Sequence, residues 1–146
     1  MTTPQQAAEL TFLALAIWRE ARGESRNGKA AVAHVILHRA AHPGWWGKDL
    51  LAVVFQPWQF SSLTDPHDPQ LINWPKSDDA SWIESLAVSA AAIEGTLKNP
   101  APGADSYHDI SIKPPYWAKQ GTLVAEIGRL RFYTTAKIRQ GGKTNG

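Results

Sequence analysis

Residues 10–18, LTFLALAIW, constrain this 146-residue chain more than any other stretch, with no charge and a single hydroxyl in nine positions. A helix that is apolar almost all round its circumference has to lie inside a domain. It is too short for a membrane, since a spanning helix needs about 20 apolar residues. Neither a basic flank before it nor a small-residue cleavage site after it marks it for export. The stretch therefore predicts a buried helix. Thr3 supplies a hydroxyl cap and Pro4 suits the first helical position. The helix should run to about residue 21, with Gly23 as its stop.

The rest of the chain reads as one mainly helical α+β domain with a small sheet. Gly28 opens a second helix over residues 29–41, which Pro43 ends. Asp49 caps a short third over 50–55. Residues 43–75, rich in tryptophan, proline and aspartate, read mostly as ordered loop. Ser77 or Asp78 caps a long helix whose core face is Trp82, Leu86, Ala90, Ile93 and Leu97, ending at Asn99-Pro100. Prolines make residues 100–121 extended, and residues 130–135 alternate as a strand that should pair with 106–110. Residues 1–136 form the expected domain and 137–146 a flexible tail. The chain has no cysteine, which excludes disulfides, thiolate metal sites and cysteine nucleophiles. A net charge of +2 is too small to argue for nucleic acid. Lys137, Arg139 and Lys143 read as a solvated terminus.

One carboxylate stands out. Glycosidic bond cleavage needs a carboxylic acid that stays protonated near neutral pH, and burial provides it by disfavouring the charged form. Glu20 lies on the helical wheel about 20° from Leu13, 40° from Ala16 and 60° from Ile17. It also sits within a turn of the helix end, where a groove can open. Glu9 shares the stripe but falls in the first turn, where an acid suits the helix dipole. The alternative for Glu20 is a structural pair with Arg19, Arg22 or Arg39.

The string Ala16-Ile17-Trp18-Arg19-Glu20-Ala21-Arg22-Gly23-Glu24 is followed by Gly28-Lys29-Ala30-Ala31-Val32-Ala33-His34-Val35-Ile36-Leu37. Then come Val54-Phe55-Gln56-Pro57, Gln59-Phe60-Ser61, Gly103-Ala104-Asp105, Tyr107-His108, Trp117-Ala118, Ile127-Gly128 and Arg131-Phe132-Tyr133. In order and spacing these resemble the cell wall hydrolase family of spore-cortex-lytic enzymes and several phage endolysins. That family shares A-E-A-R-G-E and then G-x-x-A-V-A-x-V-I-L-N-R. The resemblance implies a lysozyme-like fold related to lytic transglycosylases. It also implies cleavage of the β-1,4 bond between N-acetylmuramic acid and N-acetylglucosamine of peptidoglycan, with the first motif glutamate, here Glu20, as catalytic acid. Arg19 stands where many relatives have a small residue, and His38 replaces the asparagine of L-N-R. Substrate preference therefore does not carry over from the spore enzymes.

A hydrolase normally needs a second carboxylate. Glu24, Asp65 and Asp105 are the candidates. The resemblance favours a scheme without one: Glu20 protonates the leaving oxygen, then deprotonates the muramyl 6-hydroxyl, which closes an anhydro ring. Hydrolysis is the alternative. Gln59, Ser61, Tyr107, His108, Trp117 and Tyr133 lie in matched strings and are the candidate substrate contacts, with Trp45, Trp46 and Trp58 nearby as sugar-stacking rings. Core packing is an equal alternative for each. His34, His38 and His42 recur every four residues, but no acid stands inside the repeat as zinc proteases require. No metal and no cofactor are expected. A zinc amidase using these histidines with His67 or His108, or a non-catalytic wall-binding module, are the rival readings. The expected molecule is an endolysin-like monomer that binds glycan strands, without stable membrane insertion. Having no export signal, it is expected to be made in the host cytoplasm and to reach the wall after membrane permeabilisation.

Overall fold

In the computed structural model of this chain, residues 2–42, 48–56 and 60–135 are described. Helix α1, Pro4–Ala21, is the central element, and Leu13 to Ile17 are 0–3% exposed all round it. Thr3 accepts from the Gln6 amide while the Gln6 side chain accepts from the Thr3 amide, a reciprocal cap that fixes the helix start. Helices α2 (Arg26–Ala41), α3 (Leu50–Val54) and α5 (Ala80–Glu94) pack around α1, and α4 (Ser61–Thr64) crosses its C-terminal end. A short 3-10 turn at Pro69–Ile72 follows α4, so the proline-rich stretch holds more helix than its composition suggested. Helix α2 starts before Gly28 because Ser25 caps it. Lys29, buried in its first turns, donates to Glu84 on α5 and to the Glu24 carbonyl, both at 2.8 Å.

Helix α5 differs from its reading in two ways. Asp79, not Ser77 or Asp78, caps it, and Gly95 at φ 81° ends it well before Asn99. Its buried face is Ser85, Val88, Ser89 and Ala92; Trp82, Leu86, Ala90 and Leu97 are only partly covered, and Ile93 is exposed. Small residues let α5 approach α1 closely, and Ser89 Oγ donates to the Leu10 carbonyl at 2.7 Å across the contact.

Strands β1 (Ser106–Asp109), β2 (Thr122–Ile127) and β3 (Leu130–Thr134) form an antiparallel sheet in the order β1-β3-β2. The pairing of the first with the last matches the sequence reading. Strand β2 and helix α6 (Tyr116–Gln120) lie in or beyond the stretch read as extended chain. Asp105 ties the sheet's end together: its carboxylate accepts from the Thr135 amide at 3.0 Å and from its hydroxyl at 2.7 Å. Among the described residues, no helix is long and apolar enough to cross a membrane. Gln59, Trp45, Trp46, Trp58 and the tail 137–146 lie outside the described residues.

Candidate active site

Glu20 is the next-to-last residue of α1, and the wheel placed it correctly: Leu13, Ala16 and Ile17 beside it are 0% exposed. Two hydroxyls from distant parts of the chain converge on its carboxylate. Tyr107 Oη donates to Oε1 at 2.6 Å, and Ser62 Oγ donates to Oε2 at 2.9 Å. Burial raises the Glu20 pKa above the ordinary carboxylate value. The Tyr107 and Ser62 hydroxyls act in the opposite direction, Asp68 adds to the rise, and Arg39 opposes it. Burial, then the charge of Glu20, pushes the Tyr107 hydroxyl well above the tyrosine range, so it remains a donor. The arrangement is a carboxyl group biased towards its protonated form and held in one orientation by two neutral donors.

The sheet register explains how Tyr107 arrives. Tyr107 lies opposite Phe132, which is 0% exposed in the core, with ring centroids 5.6 Å apart. Alternate strand residues face opposite sides. His108 on β1 and Tyr133 on β3 therefore look away from Glu20, onto the face that α6 covers. There His108 Nε2 meets the Tyr133 hydroxyl at 3.2 Å, and Trp117 packs edge-on to Tyr133 at 5.6 Å and to His108 at 6.1 Å. Of the six candidate contacts, the structure thus brings Tyr107 to the acid, clusters His108, Trp117 and Tyr133 behind the sheet, and leaves Gln59 undescribed. Ser61 is exposed and donates to Asp68 at 2.8 Å. Its neighbour Ser62 is the serine that reaches Glu20. The sequence signal was one residue off, because nothing in a four-residue helix says which serine faces inward.

Arg19 fixes that serine. It is 8% exposed and points away from Glu20 onto three backbone carbonyls. It reaches Ser62 at 3.0 Å, Leu71 at 3.1 Å and Asn73 at 3.0 Å, and its guanidinium lies 4.9 Å from the Trp74 ring. Residues 62–74 are thereby strapped to the helix end beside the acid. The residue that departs from the family pattern is a structural clamp here.

The second-carboxylate candidates are engaged elsewhere. Glu24 accepts from the Arg129 amide at 3.0 Å, joining the α1–α2 turn to the β2–β3 hairpin. Asp65 accepts from the His67 amide at 2.9 Å, and Asp105 is 0% exposed on Thr135 and Ser106. The acid whose charge acts on Glu20 is Asp68, which the sequence reading did not nominate. Asp68 also accepts from the Gln70 amide at 2.8 Å. Among the described residues, no three of His, Cys, Asp and Glu converge as metal donors; His34 Nε2 instead meets the Leu97 carbonyl at 2.8 Å.

Residues 23–133 match the cell wall hydrolase family, and the chain belongs to that family; its activity is the degradation of peptidoglycan. Glu20 stands three residues ahead of the matched span. Among solved structures, the chain resembles the catalytic domain of the Bacillus cereus SleB protein, at 24% identity and a TM-score of 0.70, over 88% of this chain and 91% of that one. It also resembles the catalytic domain of the germination-specific lytic transglycosylase SleB from Bacillus anthracis. That match has 25% identity and a TM-score of 0.68, over 86% of this chain and 93% of the other. No curated protein matches the chain.

Proposed function

We propose that the chain cleaves the β-1,4 bond between N-acetylmuramic acid and N-acetylglucosamine, with Glu20 as general acid and then base, as a lytic transglycosylase. The observation that carries this reading is the Glu20 carboxyl, pushed up by burial and held by Tyr107 and Ser62. A protonated Glu20 donates to the leaving glycosidic oxygen. The resulting carboxylate takes the proton of the muramyl 6-hydroxyl as that oxygen attacks the anomeric carbon. The chemistry of one relative, a lytic transglycosylase, supports this second step. So does the engagement of Glu24, Asp65 and Asp105 in structural bonds.

A hydrolytic reading has one observation in its favour, the charge of Asp68 felt by Glu20. In that scheme Asp68 activates water. Mass spectrometry of digested sacculi separates the two: the proposed route leaves 1,6-anhydromuramic ends, one water lighter than reducing ends. With Asp68→Asn the proposed route keeps substantial activity, whereas a base role predicts a loss of roughly 10²-fold or more. Predominantly reducing ends together with a crippled Asp68→Asn would replace transglycosylation by hydrolysis.

The pH profile gives a separate check. A general acid works below its pKa, so activity falls as pH rises through the elevated value of Glu20. The Tyr107 hydroxyl lowers that pKa, so Tyr107→Phe should move the alkaline limb of kcat/KM to higher pH while kcat falls by about tenfold. Asp68 raises it, so Asp68→Asn should move the same limb to lower pH. Limbs that stay in place in both variants would show that Glu20 does not set the profile.

A further inference from the structure

Two arginines are buried around Glu20, and they play different parts. Arg19 is engaged by three backbone carbonyls and points away from the acid. Arg39, in the last turn of α2 and 6% exposed, sits where the two arms of the site begin. Its Nε donates to the Asp105 carbonyl at 2.7 Å, and its guanidinium lies 5.5 Å from the centre of the Phe60 ring. Asp105 comes directly before β1, two residues ahead of Tyr107. Phe60 comes directly before α4, two residues ahead of Ser62. One side chain thus meets the root of both arms that bring a hydroxyl to Glu20.

A cation in such a place needs compensation. The C-terminal end of α2 carries partial negative charge, the Asp105 carbonyl accepts from Nε, and the Phe60 ring offers its π system. The titratable groups around Arg39 are Glu20, Tyr107, His38 and Asp105, whose carboxylate Thr135 holds. Burial raises the Glu20 pKa and Asp68 adds to the rise; the charge of Arg39 acts against both. Burial also raises Tyr107, and Arg39 again opposes it. His38, lowered by burial and by His42 and raised by Asp105, is lowered further by Arg39.

We propose that Arg39 is a positioning residue of the acid–base cycle: fixed at the root of both arms, it keeps a positive charge near Glu20 for the interval when the proton has left. The inference rests on Glu20 acting first as acid and then as base. A carboxyl group kept neutral by burial alone donates poorly, because the carboxylate left behind is costly in a desolvated place. A cation already fixed in the protein lowers that cost without reorganisation. Once the proton has passed to the leaving oxygen and the glycosidic C–O bond has broken, the carboxylate must persist until the 6-hydroxyl gives up its own proton. Arg39 and Asp68 bracket the acid, the first favouring its carboxylate and the second its carboxyl form.

The test follows the Glu20 carboxyl carbon of the full chain by NMR as pH is raised, in the parent, Arg39→Gln and Arg39→Lys, with Glu20→Gln to identify the signal. Glutamine keeps a donor for the Asp105 carbonyl and removes the charge; lysine keeps the charge. Because that charge lowers the Glu20 pKa, Arg39→Gln should move the titration, and the alkaline limb of kcat/KM, to higher pH. Its kcat on sacculi should fall about tenfold, less than the roughly 10²–10³-fold lost with a donor in direct contact. Arg39→Lys should leave titration and limb in place and restore most of kcat. Loss of thermal stability in both variants, with titration and limb as in the parent, makes Arg39 a packing residue and overturns the proposal. Should Arg39→Gln not fold, the lysine variant decides alone: a folded Arg39→Lys with a displaced limb, or with kcat down about tenfold or more, overturns it. An unmoved titration in a chain that still yields anhydro ends removes Arg39 and leaves the proposed function intact. Parental activity in Glu20→Gln removes the function and the role of Arg39 together.

Discussion

Glu20→Gln should reduce lysis of sacculi by roughly 10²–10⁴-fold, the usual cost of removing a general acid, while the chain folds normally. The amide keeps the shape of the side chain; its oxygen can accept from one of the two hydroxyls, Tyr107 and Ser62, that now donate to the carboxylate at 2.6 and 2.9 Å, and its NH2 can donate to the other. It has no proton to give a leaving oxygen. A glutamine also relieves the cost of a carboxylate in a desolvated place, so the variant should melt no lower than the parent. Turbidity loss of purified sacculi and a thermal melt on the same sample decide the matter. A folded variant that keeps a tenth or more of the activity would remove Glu20 from the mechanism and with it the reading of the site. Glu24→Gln makes the contrast, since Glu24 meets only the hairpin amide of Arg129 among the described side-chain contacts. Its loss should appear in the melt far more than in the rate.

Arg19→Met should lower stability by about 2–4 kcal/mol and kcat by about tenfold. Methionine keeps the apolar stem but abandons the carbonyls of Ser62, Leu71 and Asn73. Those carbonyls must then find water or go unpaired, and the strap that delivers Ser62 to Glu20 loosens. A lysine at this position should rescue only part of the effect, because one ammonium cannot serve three carbonyls arranged for a planar fork. The rate is to be measured well below the melting temperature, where unfolded protein contributes nothing. A full loss of stability with kcat unchanged would make Arg19 a staple of the fold with no bearing on the acid.

How much of this was legible depends on the scale of the signal. Glu20 could be nominated as a candidate because two independent sources agree: the periodicity of α1, which placed it beside the buried Leu13, Ala16 and Ile17, and the string that resembles the family's motif. The pairing of β1 with β3 was legible from alternation. Strand β2 was not, since as an edge strand it is half exposed and carries Thr122, Glu126 and a register shift between Leu123 and Ala125. The buried face of α5 was misplaced because hydropathy ranks tryptophan and isoleucine above serine, while close helix packing selects small side chains such as Ser85 and Ser89. The distribution of the candidate contacts failed for a sharper reason. Tyr107 and His108 are adjacent in sequence, but a strand sends them to opposite faces, and only register against a packed partner decides which one meets the acid.

The two hydroxyls that hold Glu20 come from 42 and 87 residues further along the chain. No nascent fragment can therefore assemble the site. Until strand β1 has been made and docked, the glutamate ends an unfinished bundle, without the tyrosine that fixes its orientation. The arrangement around Glu20 is thus a property of the completed fold and of no shorter piece that lacks β1. On refolding, activity should return with the docking of the sheet, after the helical signal has recovered.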